Sequence, residues 1–337
     1  MSATAAADGS SAHDRPGAPR VTVVVPLHNG VRYLEQALAS VRAQTFERWE
    51  AVLVDDASTD GTHALACELA ARDPARIRVI ALERNVGVAG ARAAAIGAAT
   101  TADLVALLDQ DDVLGEDFLE RCVALYDEQI AGGRRVAIVA CNPWIVDEQG
   151  RRGGTFAERY GWTDAIDYDA MIQRNCICAR ALFSREAYER AGGFVTETQP
   201  CDDYDLWLRM LELGYEVVTT RASLASYRLH AAATSRDVGR MAETILVVHE
   251  RALRRGAIGP RRRRAIRERM RHHRALRERA RVRAALAEGR RATALARAVR
   301  ALPYGAIALL QRPSRWPEWA RDVLRRGDAG GSAGVAS

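Results

Sequence analysis

The apolar positions of the first 140 residues fall into short unbroken runs, each followed by residues at helical spacing. Val21 to Val25 is a β-branched run that stops at Pro26, after which Leu34, Leu38 and Val41 recur at helical intervals. Ala51 to Val54 is a second run. It is closed by the polar stretch 55–62, in which Ser58, Thr59 and Asp60 are capping residues ahead of a helix rich in Ala and Leu. Ile77–Leu82 is a third strand, Gly87–Ala99 a helix of small residues, and Leu104–Leu108 a fourth strand. A helix from about Glu116 and a fifth strand over Val136–Cys141 follow. Runs without polar alternation are buried on both faces, and their alternation with helices predicts an α/β fold. Its sheet is Rossmann-like and mostly parallel, with helices on both faces.

From about 142 the pattern is irregular. It predicts helices near Arg185–Ala191 and Tyr204–Leu213, the second ended by Gly214, and a last strand at Val217 and Val218. After 237 the chain reads as helices with Arg on their polar faces, broken at Pro260 and Pro303. Residues 1–19 are read as a disordered leader, 237–327 as a basic α-helical C-terminal extension and 328–337 as a disordered tail. No window holds the roughly 18–20 apolar residues that span a bilayer. The expected location is therefore cytoplasmic, or peripheral on the inner face of the plasma membrane.

Composition changes this picture in three ways. Apolar content is 48% and charged content 27%, ordinary for a globular chain of 337 residues. All 49 basic residues are Arg, so any mechanism that needs a lysine is excluded, a Walker phosphate loop among them. The net charge of +6 is unevenly placed. Residues 1–235 hold 23 Arg and 34 acidic residues, a net of −11, whereas residues 236–337 hold 26 and 9, a net of +17. An acidic body is thus followed by a basic tail suited to an anionic surface. The six cysteines lack C-x-x-C spacing and read as buried free thiols in a reducing compartment.

Ligands of open α/β sheets bind beyond the carboxyl ends of the strands, and polar residues gather there. The first strand ends in PLHNG (26–30), the second in Asp55 and Asp56, and the fourth in LLDQDD (107–112). No G-x-G-x-x-G follows the first strand, which disfavours a dinucleotide site. If the backbone stays extended, Asp109 and Asp111 point the same way. Two converging carboxylates are costly unless a cation joins them, and oxygen ligands suit Mg²⁺ or Mn²⁺. Asp112 is expected to cap the following helix rather than act as a ligand.

PLHNG, VDDASTDGT (54–62) and LLDQDD, in this order, resemble the family 2 glycosyltransferases. CDDYDLWLRM (201–210) is similar to that family's E-D-x-D-L-x-L-R segment, and YRLH (227–230), followed by Ser235, to its Y-R-x-H…S element. The resemblance covers about 20–236. It implies the GT-A fold, with a nucleotide-sugar-binding half (20–141) and an acceptor-binding half (142–236). It also implies metal-assisted transfer of a sugar, with inversion, from a nucleoside diphosphate sugar, UDP first among the nucleotides. The acceptor would be a glycan or a lipid-linked precursor at the cell surface. Under the resemblance Asp56 contacts nucleobase or ribose, and Pro26, His28, Asn29 and Gln110 line that pocket. Asp109 and Asp111 hold Mn²⁺ or Mg²⁺ on the diphosphate, and Asp203 is the catalytic base; His230 approaches the metal or the diphosphate, or is a helix-capping or surface histidine. Arg92 reaches a phosphate although the usual A-R-N-x-G appears here as Ala91-Arg92-Ala93-Ala94-Ala95. Asp202 stands where Glu is usual, on the acceptor side with Trp207; Trp162 is a further ring that would stack on a sugar or pack in the core.

Two other readings compete. Asp109-Gln110-Asp111-Asp112-Val113 fits the nucleophile motif of haloacid-dehalogenase-like phosphatases, but that motif ends a first strand and works with a lysine this chain lacks. A nucleic-acid-binding protein would use the Arg-rich tail, yet it leaves three acidic strand ends unexplained and no nucleic-acid motif accompanies the charge. The tail, with Trp316 and Trp319 beside Arg315 and Arg325, suits an anionic membrane face or a helical bundle on the catalytic body.

Overall fold

A computed structural model describes residues 18–99, 102–161 and 165–299. The expected leader (but for residues 18 and 19), Trp162, the break at Pro303, the tryptophans of the tail and the expected disordered end lie outside them.

The strands are β1 (Val21–Leu27), β2 (Trp49–Asp55), β3 (Ile77–Ala81), β4 (Leu104–Leu107), β5 (Val113–Leu114), β6 (Val136–Cys141), β7 (Trp144–Val146), β8 (Arg152–Thr155), β9 (Ala181–Ser184), β10 (Glu216–Thr220) and β11 (Ala225–Arg228). The α-helices are α1 (Val31–Arg42), α2 (Thr62–Ala71), α3 (Gly87–Ala98), α4 (Phe118–Ala131), α5 (Phe156–Tyr160), α6 (Tyr168–Gln173), α7 (Arg185–Arg190), α8 (Asp202–Glu212), α9 (Val238–Arg255) and α10 (Pro260–Ala287). Residues 291–299 are also helical.

Seven strands form the main sheet in the order β10-β6-β9-β4-β1-β2-β3. Its pairings are parallel except those of β9, which runs antiparallel between β4 and β6. The alternation of side chains along each strand divides the core in two. Val21, Val23 and Val25 pack with Leu34, Leu38, Leu69, Phe118 and Cys122, under α1, α2 and α4. Val24, Val52, Val105 and Leu107 face the other way, onto Ala91, Ala95, Trp207, Met210 and Leu246, under α3, α8 and α9. Both faces are apolar because both are covered. The irregular region after 142 resolves into short elements and β9. Ala181–Ser184 is too short to announce a strand by its pattern.

A second sheet, β5-β11-β7-β8, positions the chemistry. Its β5 follows LLDQDD directly and pairs antiparallel with β11, whose last residue is Arg228 of YRLH. This pairing draws the acidic turn and His230 together across more than a hundred residues of sequence.

The C-terminal helices pack on the body. Gly256 ends α9 in the left-handed region (φ 76°), and Pro260 opens α10 at the first helical position, where a missing N–H costs nothing. Ile266 and Met270 of α10 join the α8–α9 core. Among the described residues no helix is long and apolar enough to cross a membrane. All six cysteines are free, and all but Cys67 are buried.

Candidate active site

A cavity of about 710 Å³ opens at the carboxyl ends of β1, β2 and β4. Pro26, His28, Asn29, Asp56, Arg92, Asp109, Gln110, Asp111, Asp203 and His230 all line it, so residues from five separate motifs meet in one place.

The strand-end loops are tied to one another. Gln110 donates to the His28 carbonyl (2.9 Å) and accepts from the His28 N–H (2.9 Å). Asn29, at φ 48°, accepts from the Thr59 N–H (2.8 Å). Asp56 is buried and accepts from the backbone N–H groups of Val86 (2.7 Å) and Gly87 (2.8 Å). Gly87 adopts φ +80°, which side-chain-bearing residues rarely do. The carboxylate of Asp56 therefore fixes the entrance to α3, and what remains for a ligand is its second lone pairs.

The acidic turn departs from the extended backbone expected for it. The Asp112 N–H donates to the Asp109 carbonyl (3.0 Å), so 109–112 is a turn, in which Asp109 and Asp112 meet Arg180 while Asp111 meets His230. Both carboxylate oxygens of Asp109 are met by arginine. Arg92 Nη2 donates to its Oδ1 (2.7 Å) and Arg180 Nη2 to its Oδ2. Burial opposes ionisation there, but the Arg92 and Arg180 guanidinia hold the Asp109 carboxyl below its usual range. Nor does Asp112 cap a helix: Asp117 stands at the N-cap of α4, while Asp112 is buried against Arg180 and accepts from the Arg228 N–H (2.8 Å).

Asp111 is different. Its Oδ2 lies 2.8 Å from His230 Nε2, and both side chains are partly open to the cavity. The Asp111 carboxylate is a donor that suits Mn²⁺ or Mg²⁺, and the His230 imidazole is a softer donor beside it. Among the described residues no group of three or more His, Cys, Asp or Glu side chains converges on one point. An ion at Asp111 and His230 would therefore complete its shell with substrate phosphates and water.

The first turn of α8 carries Asp202 and Asp203. Asp202 is fully buried and accepts from Arg92 Nη1 (2.9 Å), so it faces no acceptor; it anchors Arg92. Trp207 is likewise fully buried, edge-on to Phe183 at 5.4 Å, and its ring is unavailable for stacking on a sugar. Both expected acceptor contacts are corrected to framework. Asp203 lines the cavity. Burial, then the charge of Asp202, raise its pKa to about 7, with Arg92 opposing. Of the five carboxylates here, Asp109, Asp112 and Asp202 share the Arg92 and Arg180 guanidinia, and Asp111 and Asp203 are the two that neither guanidinium contacts.

Arg180 escaped the sequence reading because one Arg among 49 carries no signal. Its guanidinium stacks over the Tyr227 ring at 4.6 Å and joins Asp109 to Asp112. A second unforeseen feature is the grip of α9 on α8. Buried Asp205 accepts from Arg209 Nε (2.8 Å) and Arg255 Nη1 (3.2 Å), and Arg255 Nε reaches Glu212 at 2.6 Å. The Tyr204 hydroxyl lies 3.1 Å from His249 Nε2. These contacts fix the helix that presents Asp203. Arg255→Gln is expected to lower stability by about 1–3 kcal/mol, the worth of hydrogen bonds to charged groups. It should lower kcat more than it raises donor KM. Urea unfolding with initial-rate kinetics checks this; a variant indistinguishable in both would contradict it.

A mostly parallel sheet with an acid-rich cavity at its strand ends is the arrangement of the GT-A glycosyltransferases. The chain belongs to glycosyl transferase family 2, whose family model matches residues 22–192. It is 30% identical over 213 residues to the putative glycosyltransferase EpsE of Bacillus subtilis (strain 168), covering 62% of this chain and 73% of that protein. It is 40% identical over 140 residues to the succinoglycan biosynthesis protein ExoO of Rhizobium meliloti (strain 1021), covering 42% and 38%. Among solved structures, the fold resembles the mannosyltransferase PcManGT of Pyrobaculum calidifontis in complex with GDP-Man and Mn²⁺ (TM-score 0.59, 22% identity, 88% of this chain and 82% of that one). It also resembles S. aureus TarS 1-349 in complex with UDP-GlcNAc (TM-score 0.57, 16% identity, 79% and 72%). Family membership sets aside the phosphatase reading.

Proposed function

We propose that this glycosyltransferase is an inverting enzyme. It moves a sugar, a hexose in the first instance, from a nucleoside diphosphate donor (UDP before GDP) to an acceptor hydroxyl in the synthesis of a cell-surface polysaccharide or glycolipid. The observation that carries the reading is Asp203: a cavity-lining carboxylate with a pKa near neutrality, in the same cavity as the Asp111–His230 pair. In the transfer, the acceptor O–H proton passes to Asp203 and the acceptor oxygen bonds to the anomeric carbon. The bond from that carbon to the diphosphate oxygen breaks, and its electron pair leaves with the nucleoside diphosphate. One displacement needs one base and no protein nucleophile, so configuration inverts. Asp111 and His230 would hold Mn²⁺ or Mg²⁺, which supplies a counter-charge for the departing diphosphate. Pro26, His28, Asn29, Asp56 and Gln110 would surround the nucleoside; Arg92 would order Asp109 and Asp202 rather than grip phosphate alone. The exposed arginines of α10, among them Arg261, Arg264, Arg267 and Arg271, suit an anionic membrane face near a lipid-linked acceptor.

The reading is tested by release of free nucleotide from a panel of nucleotide sugars with Mn²⁺, with Mg²⁺ and with EDTA. One donor is expected to be turned over with either ion and none with EDTA. Asp111→Asn should weaken Mn²⁺-dependent donor binding about 10–100-fold, the equivalent of one charge-assisted contact. Turnover undiminished by EDTA would remove the metal from the reading, and no turnover of any donor would remove the reading itself.

A further inference from the structure

Both members of the Asp111–His230 pair lie outside regular structure. Asp111 sits in the turn after β4, and His230 stands two residues past the end of β11. Neighbours must therefore fix the spacing of the two side chains, and Arg228 supplies the first constraint. It is 3% exposed. Its Nε donates to the Asp111 carbonyl (2.9 Å), and its Nη1 to the carbonyls of Asp147 and Glu148 (3.2 Å each) in the turn between β7 and β8. Glu148 Oε1 accepts in turn from the N–H of Ala231, the residue after His230 (3.2 Å). Arg228 Nη2 reaches Gln36 Oε1 on α1 (2.7 Å). Every oxygen this guanidinium meets among the described residues is uncharged. The bonds fix backbone position on both sides of the pair rather than neutralise a charge.

Tyr33 supplies the second constraint. It lies in the first turn of α1, three residues past PLHNG and outside the sequence motifs. Its half-buried ring packs on the His230 imidazole, with centroids 5.3 Å apart and planes inclined by 39°. The Arg228 guanidinium lies over the same ring at 4.9 Å and that of Arg32 at 5.0 Å. Arg32 also donates to Glu148 Oε2 (3.3 Å), so ring, guanidinia and the β7–β8 turn form one connected group. The Tyr33 hydroxyl oxygen is buried and meets no partner among the described residues. The ring is thus placed by its faces and not by its hydroxyl.

We propose that Tyr33 and Arg228 are positioning residues for the Asp111–His230 pair. Arg228 holds the backbone that carries Asp111 and, through the β7–β8 turn, the backbone just after His230; Tyr33 holds the imidazole ring. The two donors are thereby set 2.8 Å apart before an ion arrives. An ion that binds a preset pair spends little of its affinity on ordering the ligands. The inference rests on the proposed metal-assisted reading and adds the residues that tune metal affinity from outside the ligand set.

Two measurements on the full chain test this. In the metal-free protein, the imidazole proton resonances of His230, assigned by their loss in His230→Gln, report on how the ring is packed. Tyr33→Leu should move them toward the positions of an exposed histidine, and Tyr33→Phe, which keeps the ring, should leave them in place. Mn²⁺ is then titrated in the presence of UDP and of GDP, and binding is followed by loss of the free ion's EPR signal. Tyr33→Leu and Arg228→Gln should each weaken Mn²⁺ about tenfold, at the lower end of the usual effect of residues behind metal ligands, and Tyr33→Phe should bind it like the parent chain. Tyr33→Leu keeps the hydrogen bonds of Arg228, so the test stands even where Arg228→Gln fails to fold. Unmoved His230 resonances in Tyr33→Leu overturn the inference, as does a folded Tyr33→Leu chain that binds Mn²⁺ as tightly as the parent. A parent chain that binds no Mn²⁺ with either nucleotide would instead remove the metal from the transferase reading, and the metal-free resonances would still decide whether Tyr33 positions His230.

Discussion

Asp203→Asn is expected to lower kcat for sugar transfer by about 10²–10⁴, the usual contribution of a general base, with donor KM changed only a few fold. The asymmetry follows from where the carboxylate stands. Asp203 opens α8 on the side of the cavity reached from α8 and α9, whereas the donor-side groups hang from β1, β2 and the turn after β4. Removing its charge takes away the proton acceptor and leaves the donor pocket standing. Asn is nearly isosteric, and the Tyr204 N–H that donates to Asp203 Oδ1 at 2.7 Å can still find an oxygen there. The pH dependence has a definite sign. Burial and the neighbouring Asp202 raise the Asp203 pKa to about 7. The base is protonated and idle below that value and ionised above it, so kcat/KM should rise with pH through about 7 and then level. Initial rates between pH 5.5 and 8.5 measure this limb. A limb near pH 4, or an Asp203→Asn enzyme within threefold of the parent in kcat, would show that another group takes the proton.

Strands β1, β2, β4 and β6 of the main sheet were legible because each is buried on both faces and carries an unbroken apolar run, whereas the edge strand β3 buries only Ile77. The motif residues were legible as members of a site because strand ends share one rim of the sheet. Their division of labour was not. Asp109, Asp111 and Asp112 are adjacent in sequence, and only the turn at 109–112 and the β5–β11 pairing decide which of them meets arginine and which meets His230. Asp202 and Asp203 differ by one helical step of about 100°, which sends one into the core and leaves the other on the cavity. Trp207, four residues on from Asp203, follows α8 into the core rather than the cavity. The Arg partners were invisible for a different reason. A chain whose every cation is arginine gives no hint of which ones are buried.

Arg180→Met is expected to destabilise the fold by about 3–5 kcal/mol, the penalty for leaving buried charge without its partner. Arg180 is 5% exposed and is the shared cation of Asp109 and fully buried Asp112. Its Nη1 also donates to Cys178 Sγ at 3.2 Å, and its guanidinium covers the Tyr227 ring. Methionine matches much of the stem and the stacking surface but neither charge. Asp109 would keep Arg92, while Asp112 would keep only the Arg228 N–H. The Asp112 carboxyl is already raised by burial and by Asp111 and Asp109, with Arg180 the main opposing charge. Loss of Arg180 raises it further. An acid whose pKa is higher folded than unfolded favours the fold when protonated, so the deficit of Arg180→Met should shrink as pH falls from 8 toward 5. Adding Asp112→Asn should recover part of the loss at neutral pH, because an uncharged amide can be buried there with one hydrogen bond kept. Urea midpoints for the parent, both single variants and the double variant at pH 5.5 and 7.5 close this cycle. A loss under 1 kcal/mol for Arg180→Met, or one independent of pH, would mean that the two carboxylates do not depend on that guanidinium. The acidic turn would then owe its geometry to the β5–β11 pairing alone.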